Sequence, residues 1–541
     1  MMRQLFRKCA ALFWYLPGFL LWAAYPPMGE MADALFALAP LMWISRRAGV
    51  RVAAKRWFVN GFIFWFATLA WMPAIVKNGG PWPLVVLGWG ALSAYCAAYF
   101  AAFGFLSATM WGCVRGRGYM WRIAAIVVAE PVLWAGLEIA RSRLFGGFAW
   151  NQLGVIPAVA GFGAPAAIGG VFLLSMVVVL INGTVASIAE RMLAPVFGER
   201  NHWSRSVETL LPILAIWGMY AVSRQVASVD GESDGDERRL RVALVQRNFP
   251  CVFDRRDEDV AAIYGKLISN VSPLQPELLV LPESAFSEVG PFGGANAVRF
   301  ADWLRRTSGA RGVVAGGFRK EGGREYNSAA LFTEGACDVY DKVHLVPFGE
   351  YIPFDKWITP LQKLAPVGSC TPGELKTLDF DGVKLGVAIC FEDTDSAQMR
   401  QLARMGAQVL VFVTNDSWFS HSDEAVQHAW QSVARAVETG LSVVRVGNSG
   451  VTGTVTPRGT ATWLVDDKGR PLVDEGATMF DVVRCKARPR ATPYVRMGDA
   501  PLAVLFALTL ALVFYGRFKG DDCRHTPDGF GIILAKLQSH N

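Results

Sequence analysis

The stretch KLGVAICFED, residues 384–393, carries an apolar run (Leu385, Val387, Ala388, Ile389) into a cysteine, Cys390, and then into two acids, Glu392 and Asp393. A short apolar run without alternation reads as a strand buried on both faces. Cys390 stands at its end. A lone cysteine there is ordinarily a small buried hydrophobe. A thiol that opens a helix beside a cation is instead drawn towards thiolate, and Phe391, Glu392 and Asp393 read as such an opening.

Runs of the same kind lie on either side. LRVALVQ (240–246), ELLVLPES (277–284), GVVAGGF (312–318), AQVLVFVTND (407–416) and SVVRVGN (442–448) read as strands, and SAALFT (328–333) with CDVYDKVHLV (337–346) as a hairpin pair. Helical spacing marks 257–270, 295–308, 395–406 and 424–439 between them. Alternating strands and helices predict an α/β unit with covered sheet faces. Chemistry in such a unit gathers past the C-terminal ends of strands. Glu283, Cys390 and Asn415 stand at such ends, and Lys342 lies within the hairpin run. Singly, each is ordinary: a surface carboxylate, a core thiol, a solvated lysine.

Together they are not ordinary. LPES with Glu283, DKVHLVPFGEY with Lys342 and Glu350, and AICFED with Cys390 follow one another at spacings of 59 and 48 residues. In this order they resemble the nitrilase, or carbon-nitrogen hydrolase, superfamily. TNDSWF (414–419), QHAWQSVARAVETG (427–440) and VVRVGNSGVTGTVTPRG (443–459) continue the resemblance, which covers most of 240–485. It implies an αββα sandwich with Cys390 as nucleophile, Glu283 as general base and Lys342 stabilising an oxyanion. Glu350 would orient Lys342 or an incoming amine, and Glu392 would shape the turn through bonds from backbone N–H groups. Phe391 stands where the family commonly has tyrosine, so ring packing is kept and a hydroxyl is lost.

The rest of the chain differs in composition. The 541 residues are 52% hydrophobic and 18% charged, and long apolar runs are confined to 1–223 and 501–515. A bilayer crossing needs about 20 apolar residues. Spans are predicted near 10–26, 31–45, 57–76, 82–110, 120–140, 161–189, 206–223 and 500–516. The first is not followed by a small-residue cleavage site, so it is expected to be a span. Loop charges alternate. Arg3, Arg7 and Lys8, then Arg46, Arg47, Arg51, Lys55 and Arg56, then Arg115, Arg117 and Arg122, then Arg191, Arg200 and Arg205, then Arg517, Lys519 and Arg524 mark one side. The intervening loops hold Lys77, Arg141 and Arg143. The positive-inside rule then puts both termini in the cytoplasm and 224–500 outside. The net charge of +7 sits largely in these loops and needs no nucleic acid.

The predicted organisation is a seven-span membrane domain (1–223), a polar linker (224–239), an extracytoplasmic catalytic domain (240–485), a connector (486–499), an eighth span (500–516) and a cytoplasmic tail (517–541). Across its whole length the chain resembles the apolipoprotein N-acyltransferase family, and LEIARSRLFGGFAWNQLG (137–154) extends the likeness into the membrane part. That implies acyl transfer at a bacterial inner membrane, from a phospholipid to the N-terminal amine of a diacylglyceryl-cysteine lipoprotein, through a Cys390 thioester in a ping-pong cycle. The rivals are a membrane-tethered amidase or hydrolase with water as acceptor, and a transporter or lipid-binding membrane protein whose outer domain has lost activity.

The surrounding residues leave alternatives. Phe354 and Trp357 lie in IPFDKWITPLQKLAP (352–366), which is either a helix packed on its own domain or an amphipathic arm over lipid. Trp418 is either a core aromatic or the wall of an acyl pocket. Arg445 either meets a phosphate or forms a structural ion pair. Glu130 and Glu138 lie in or near spans, where ionisable groups are costly and usually functional. The outer domain holds five cysteines, Cys251, Cys337, Cys370, Cys390 and Cys485. An odd number leaves at least one thiol outside any internal disulfide. The six histidines are scattered without zinc spacing, so no metal and no cofactor is expected.

Overall fold

The computed structural model describes residues 14–115, 117–193, 210, 213–214, 216–221, 224–225, 237–249, 260–287, 289–352, 369–419, 422–473, 475–486 and 490–518. The chain forms two compact units. One comprises Met1–Ala70, Leu87–Gln225 and Asp499–Asn541, the other Trp71–Val86 and Val226–Gly498.

In the first unit the short helices α1 (Leu16–Ala23) and α2 (Ala39–Arg47) precede α3 (Val50–Thr68), α4 (Trp82–Val114), α5 (Tyr119–Arg141) and α6 (Ala166–Leu193), and a helix over Ala500–Phe518 ends the described chain. Among the described residues five helices are long and apolar enough to cross a membrane: Val50–Asn78, Trp82–Val114, Tyr119–Arg141, Ala166–Leu193 and Ala500–Phe518. The spans expected at 10–26 and 31–45 appear as α1, a 3-10 turn over Met31–Leu35, and α2. Pro26 and Pro27 follow α1 and cannot continue a helix. Half of the span expected at 206–223 falls outside the described residues, and the described half is helical. Close packing within this unit uses small residues. A Cβ on Gly104 of α4 would lie 2.3 Å from Cδ1 of Trp57 on α3, so glycine lets the indole seat there. Trp57, Phe103 and Trp134 then form an aromatic cluster, with the Trp57 and Phe103 rings 4.7 Å apart. Glu130 and Glu138 are both buried and bonded: Glu130 accepts from Ser107 Oγ at 2.9 Å and Trp111 Nε1 at 2.8 Å, and Glu138 accepts from the backbone N–H of Leu153 at 2.9 Å.

The second unit is a sandwich of two six-stranded sheets. The strands in chain order are β1 (Glu237–Gln246), β2 (Leu278–Val280), β3 (Gly312–Glu321), β4 (Arg324–Thr333), β5 (Ala336–Asp341), β6 (Leu378–Phe380), β7 (Val383–Ile389), β8 (Val409–Asn415), β9 (Ser442–Asn448), β10 (Gly453–Val455), β11 (Ala461–Trp463) and β12 (Ala477–Lys486). One sheet runs β12-β1-β2-β3-β4-β5 and the other β11-β10-β9-β8-β7-β6. Three strands at the middle of each, β1–β3 and β7–β9, are parallel, and the outer strands are antiparallel. Side chains alternate between faces. Leu240, Val242 and Leu244 join Val387, Ile389, Val411 and Val444 between the sheets, while Ala243 and Val245 turn outward onto helices α7 (Val260–Ser269) and α8 (Ala295–Ser308). Helices α9 (Ser396–Arg404) and α10 (Glu424–Thr439) are packed beside the second sheet. Each fully buried Val or Leu contributes about 1.5–3 kcal/mol, which holds the layers together.

The polar alternation of edge strands is weak in the sequence, so β6, β10, β11 and β12 were not expected as strands. β5 also ends at Asp341, and Lys342 therefore stands just past a strand end rather than within a run.

Candidate active site

Four loops meet at one end of the sandwich. β7 ends at Ile389 and the chain turns into a 3-10 turn over Cys390–Thr394. Cys390 has φ of +52°, a left-handed conformation costly for any side chain with a Cβ. It is fixed by Glu392. The fully buried Glu392 carboxylate accepts from the N–H of Ile389 at 2.8 Å, of Val343 at 2.8 Å and of His344 at 3.0 Å, and from Tyr340 Oη at 2.9 Å. One carboxylate thus ties the cysteine turn to the lysine loop.

Lys342 is 1% exposed. Its Nζ lies 2.9 Å from Glu350 Oε1 and 4.0 Å from Glu283 Oε1. Asn327 of β4 joins the two acids: its Nδ2 donates to Glu283 Oε1 at 2.7 Å and to Glu350 Oε1 at 2.6 Å. The backbone N–H of Val346 donates to Glu350 Oε2 at 2.7 Å. Glu283 follows β2 on a backbone pressed against β3. A Cβ on Gly316 would lie 2.4 Å from the Cα of Glu283, so only glycine allows that approach.

The electrostatics separate the two acids. Burial pushes the Glu283 carboxyl up, and Glu350 adds to this, against the pull of Lys342 and Asn327; it sits above the ordinary carboxylate range. Burial also raises Glu350, but Lys342 with the bonds from Val346 and Asn327 outweighs it and holds this acid below that range. Burial alone would lower the Lys342 ammonium, yet Glu350 and Glu283 hold it well above its usual value. Glu350 is therefore the fixed counter-ion, and Glu283 is the acid able to trade a proton. The Cys390 thiol is pushed well above its usual value by burial and then by Glu283, against Lys342. This corrects the expectation of a thiolate drawn out by the helix start and the lysine: the thiol is held neutral, and its proton needs a base.

The other expected residues separate. Asn415 ends β8, where its Oδ1 accepts from Ser417 Oγ at 2.6 Å and Asn448 Nδ2 at 3.0 Å, bracing the loop that follows. Trp418 is 40% exposed, and its carbonyl accepts from Asn78 Nδ2 at 2.7 Å. Asn78 belongs to Trp71–Val86, the apolar-region segment that packs with this unit, and Trp71 meets Phe419 edge-on at 4.6 Å. Phe391 meets His344 edge-on at 5.7 Å. Phe354, Trp357 and Cys251 lie outside the described residues. Cys337, Cys370 and Cys485 are free thiols.

Arg445 forms a buried ion pair. It is fully buried and paired with Asp393 and, at 3.4 Å, with Asp416. The fold also gathers what looked scattered. His428 of α10 has Nδ1 2.9 Å from Asp416 Oδ1 and Nε2 2.9 Å from Asp393 Oδ1, with Glu424 3.7 Å away. Asp416, Glu424 and His428 could by position hold a metal ion. However, carboxylate oxygens face both ring nitrogens, which suits a doubly protonated ring without a lone pair to give. Burial lowers the His428 ring, but Asp393 and Asp416 lift it to about 10. Sequence reasoning missed Asn327, Tyr340 and this cluster. A faint signal existed in the nearness of Asp393 to Cys390 and of Asp416 to Asn415.

Residues 17–184 match the family described as apolipoprotein N-acyltransferase N-terminal domain, and residues 241–480 match carbon-nitrogen hydrolase. An apolipoprotein N-acyltransferase of Geobacter metallireducens is 32% identical over 467 residues, 82% of this chain and 84% of the relative. The chain belongs to the apolipoprotein N-acyltransferase family. A second family member, from Shewanella oneidensis, is 26% identical across 92% of both chains. Among solved structures, an amidase from Nesterenkonia sp. is similar at 21% identity and a TM-score of 0.35, over 50% of this chain and 98% of that one.

Proposed function

We propose that this chain transfers a fatty acyl group from a membrane phospholipid to the N-terminal amine of a diacylglyceryl-cysteine lipoprotein, the last step of lipoprotein maturation. The observation that carries the reading is the Glu283–Lys342–Cys390 group in a chain whose relatives are named for this transfer. Those relatives support the transferase over the amidase or hydrolase.

In the first half-reaction Cys390 Sγ attacks the ester carbonyl while Glu283 takes the thiol proton. Lys342, with a backbone N–H of the turn after Cys390, meets the charge on the carbonyl oxygen. The intermediate collapses to a thioester, and the lysophospholipid leaves carrying the proton back from Glu283. In the second half-reaction the amine attacks the thioester and gives a proton to Glu283. The amide forms, and the departing sulfur recovers that proton. Glu350 holds Lys342 in place throughout. The wall offered by Trp418 suits an acyl chain.

The loop charges support cytoplasmic termini, eight spans and an extracytoplasmic catalytic domain in the inner membrane. The test uses full-length protein and phospholipid labelled in its acyl chain. A hydroxylamine-sensitive label should form on the wild type and be absent from Cys390→Ala. An unlabelled wild type would sink the covalent mechanism. Added diacylated lipopeptide should take the label on its amine; release only as free fatty acid would favour the hydrolase.

A further inference from the structure

Cys390 has a left-handed φ of +52°, and a strained residue stays so only where its surroundings over-determine it. Glu392 supplies one restraint, towards the lysine loop. The next residue, Asp393, finds its partners elsewhere, on β9 and α10. β7, β8 and β9 are parallel and in register: Ala388 pairs with Phe412, and Phe412 with Arg445. Arg445 therefore stands two strands from the nucleophile, level with Ala388, which precedes Cys390 by two residues.

From there its buried guanidinium reaches the loops that follow all three strands. Nη1 donates to Asp393, in the turn after β7, and to Ser432 Oγ of α10 at 3.3 Å. Nη2 lies 3.4 Å from Asp416 Oδ2, after β8. Nε donates to the carbonyl of Val451, after β9, at 3.2 Å. The loop after β9 also closes over Asp416: a Cβ on Gly450 would lie 2.2 Å from Asp416 Oδ2, so only glycine fits there. His428 meets the same two acids from α10, at 2.9 Å each. Two buried carboxylates thus face two cations, and the planar fork of the arginine spans groups that a single ammonium cannot reach together.

We infer that Arg445 is a positioning residue for the acyl transfer: through Asp393 it holds the turn that carries the Cys390 thiol and the backbone N–H facing the oxyanion. This role rests on the acyl transfer proposed above. Both half-reactions use the turn, so loosening it lowers the rate with substrate bound and leaves lipid binding as it was. A lysine at 445 keeps the charge and loses the fork.

Full-length wild type, Arg445→Lys and Arg445→Met are each given phospholipid labelled in its acyl chain, and single-turnover labelling is followed against lipid concentration. Small displacements of reacting groups are costly, so Arg445→Lys should label about tenfold to a hundredfold more slowly at saturating lipid, with the half-saturating concentration unchanged. Arg445→Met should be slower still. Leu304→Ala, in the core between α8 and the other sheet, is the stability control. It should lower the melting temperature and leave labelling per folded molecule as in the wild type. Arg445→Lys labelling as fast per folded molecule as the wild type overturns the role, and so does a loss carried wholly by the half-saturating concentration. Alkylation of Cys390 by iodoacetamide, read by peptide mass spectrometry, tests the turn without lipid. It should slow in parallel, because the thiol proton must still meet Glu283; alkylation of Arg445→Lys as fast as the wild type or faster overturns the role. A wild type alkylated at Cys390 but never labelled overturns the acyl transfer instead, and the alkylation rates then decide the arginine. Should Arg445→Met fail to fold, Arg445→Lys decides.

Discussion

Cys390 is held in a strained turn with its thiol pushed up by burial, so the proposed acyl transfer turns on the acid that takes its proton. Glu283→Gln should slow acyl-enzyme formation by about a thousandfold, within the usual range for losing a general base. The pH profile carries a sign. On the proposed mechanism Glu283 acts in its ionised form, and burial holds its carboxyl above the ordinary range. Labelling should therefore fall on acidification through a pH higher than an exposed carboxylate would give. Asn327→Ala removes a donor to both acids. It should cut the rate about tenfold to a hundredfold and move that acidic limb to still higher pH, because the ionised form loses its hydrogen bond. The sequence made Glu283, Lys342, Glu350 and Cys390 legible because each sits in a distinctive short motif. Asn327 sits in an unremarkable strand, and only β-pairing carries it to the acids.

At the scale of elements, a buried acid and a buried histidine cluster join loops that the sequence keeps far apart. Glu392 accepts from donors on β5, the lysine loop and β7. Glu392→Gln turns an amide NH2, itself a donor, towards those donors and should cost about 2–3 kcal/mol of stability by denaturant unfolding. The His428 cluster joins α10 to the turn after Cys390 and the loop after β8. Its ring is lifted from the usual 6.5 to about 10. A raised folded-state value means that its stabilisation is complete below pH 6.5 and lost as the pH rises through about 10. His428→Gln should flatten the fall in stability across that window, read as melting temperature against pH. Apolar runs announced the central strands and amphipathic spacing the covering helices. The edge strands lacked both signals, and the cluster consists of residues each ordinary in its own segment.

For the whole molecule, composition separated an apolar region from a catalytic one, and loop charge supplied a sidedness. Hydropathy could not see that Trp71–Val86, embedded in the apolar region, packs with the sandwich. Asn78 there donates to the carbonyls of Ser417 and Trp418, and Trp71 Nε1 donates to Gln427 at 3.4 Å. A fragment spanning 237–498 lacks these partners. Hydrogen exchange at 416–419 should be faster in that fragment than in the full chain; equal protection would mean that the segment adds nothing to the loop.

The same contact sets a clock on synthesis. Asn78 and Ser417 are 339 residues apart in the chain. At a ribosomal rate of about 5–20 residues per second, the asparagine waits about 20–70 s for its partner to be made. Until then Asn78 has no loop to brace, so the site beside Cys390 is completed late in the birth of the chain, after its first apolar helices have long been available to lipid.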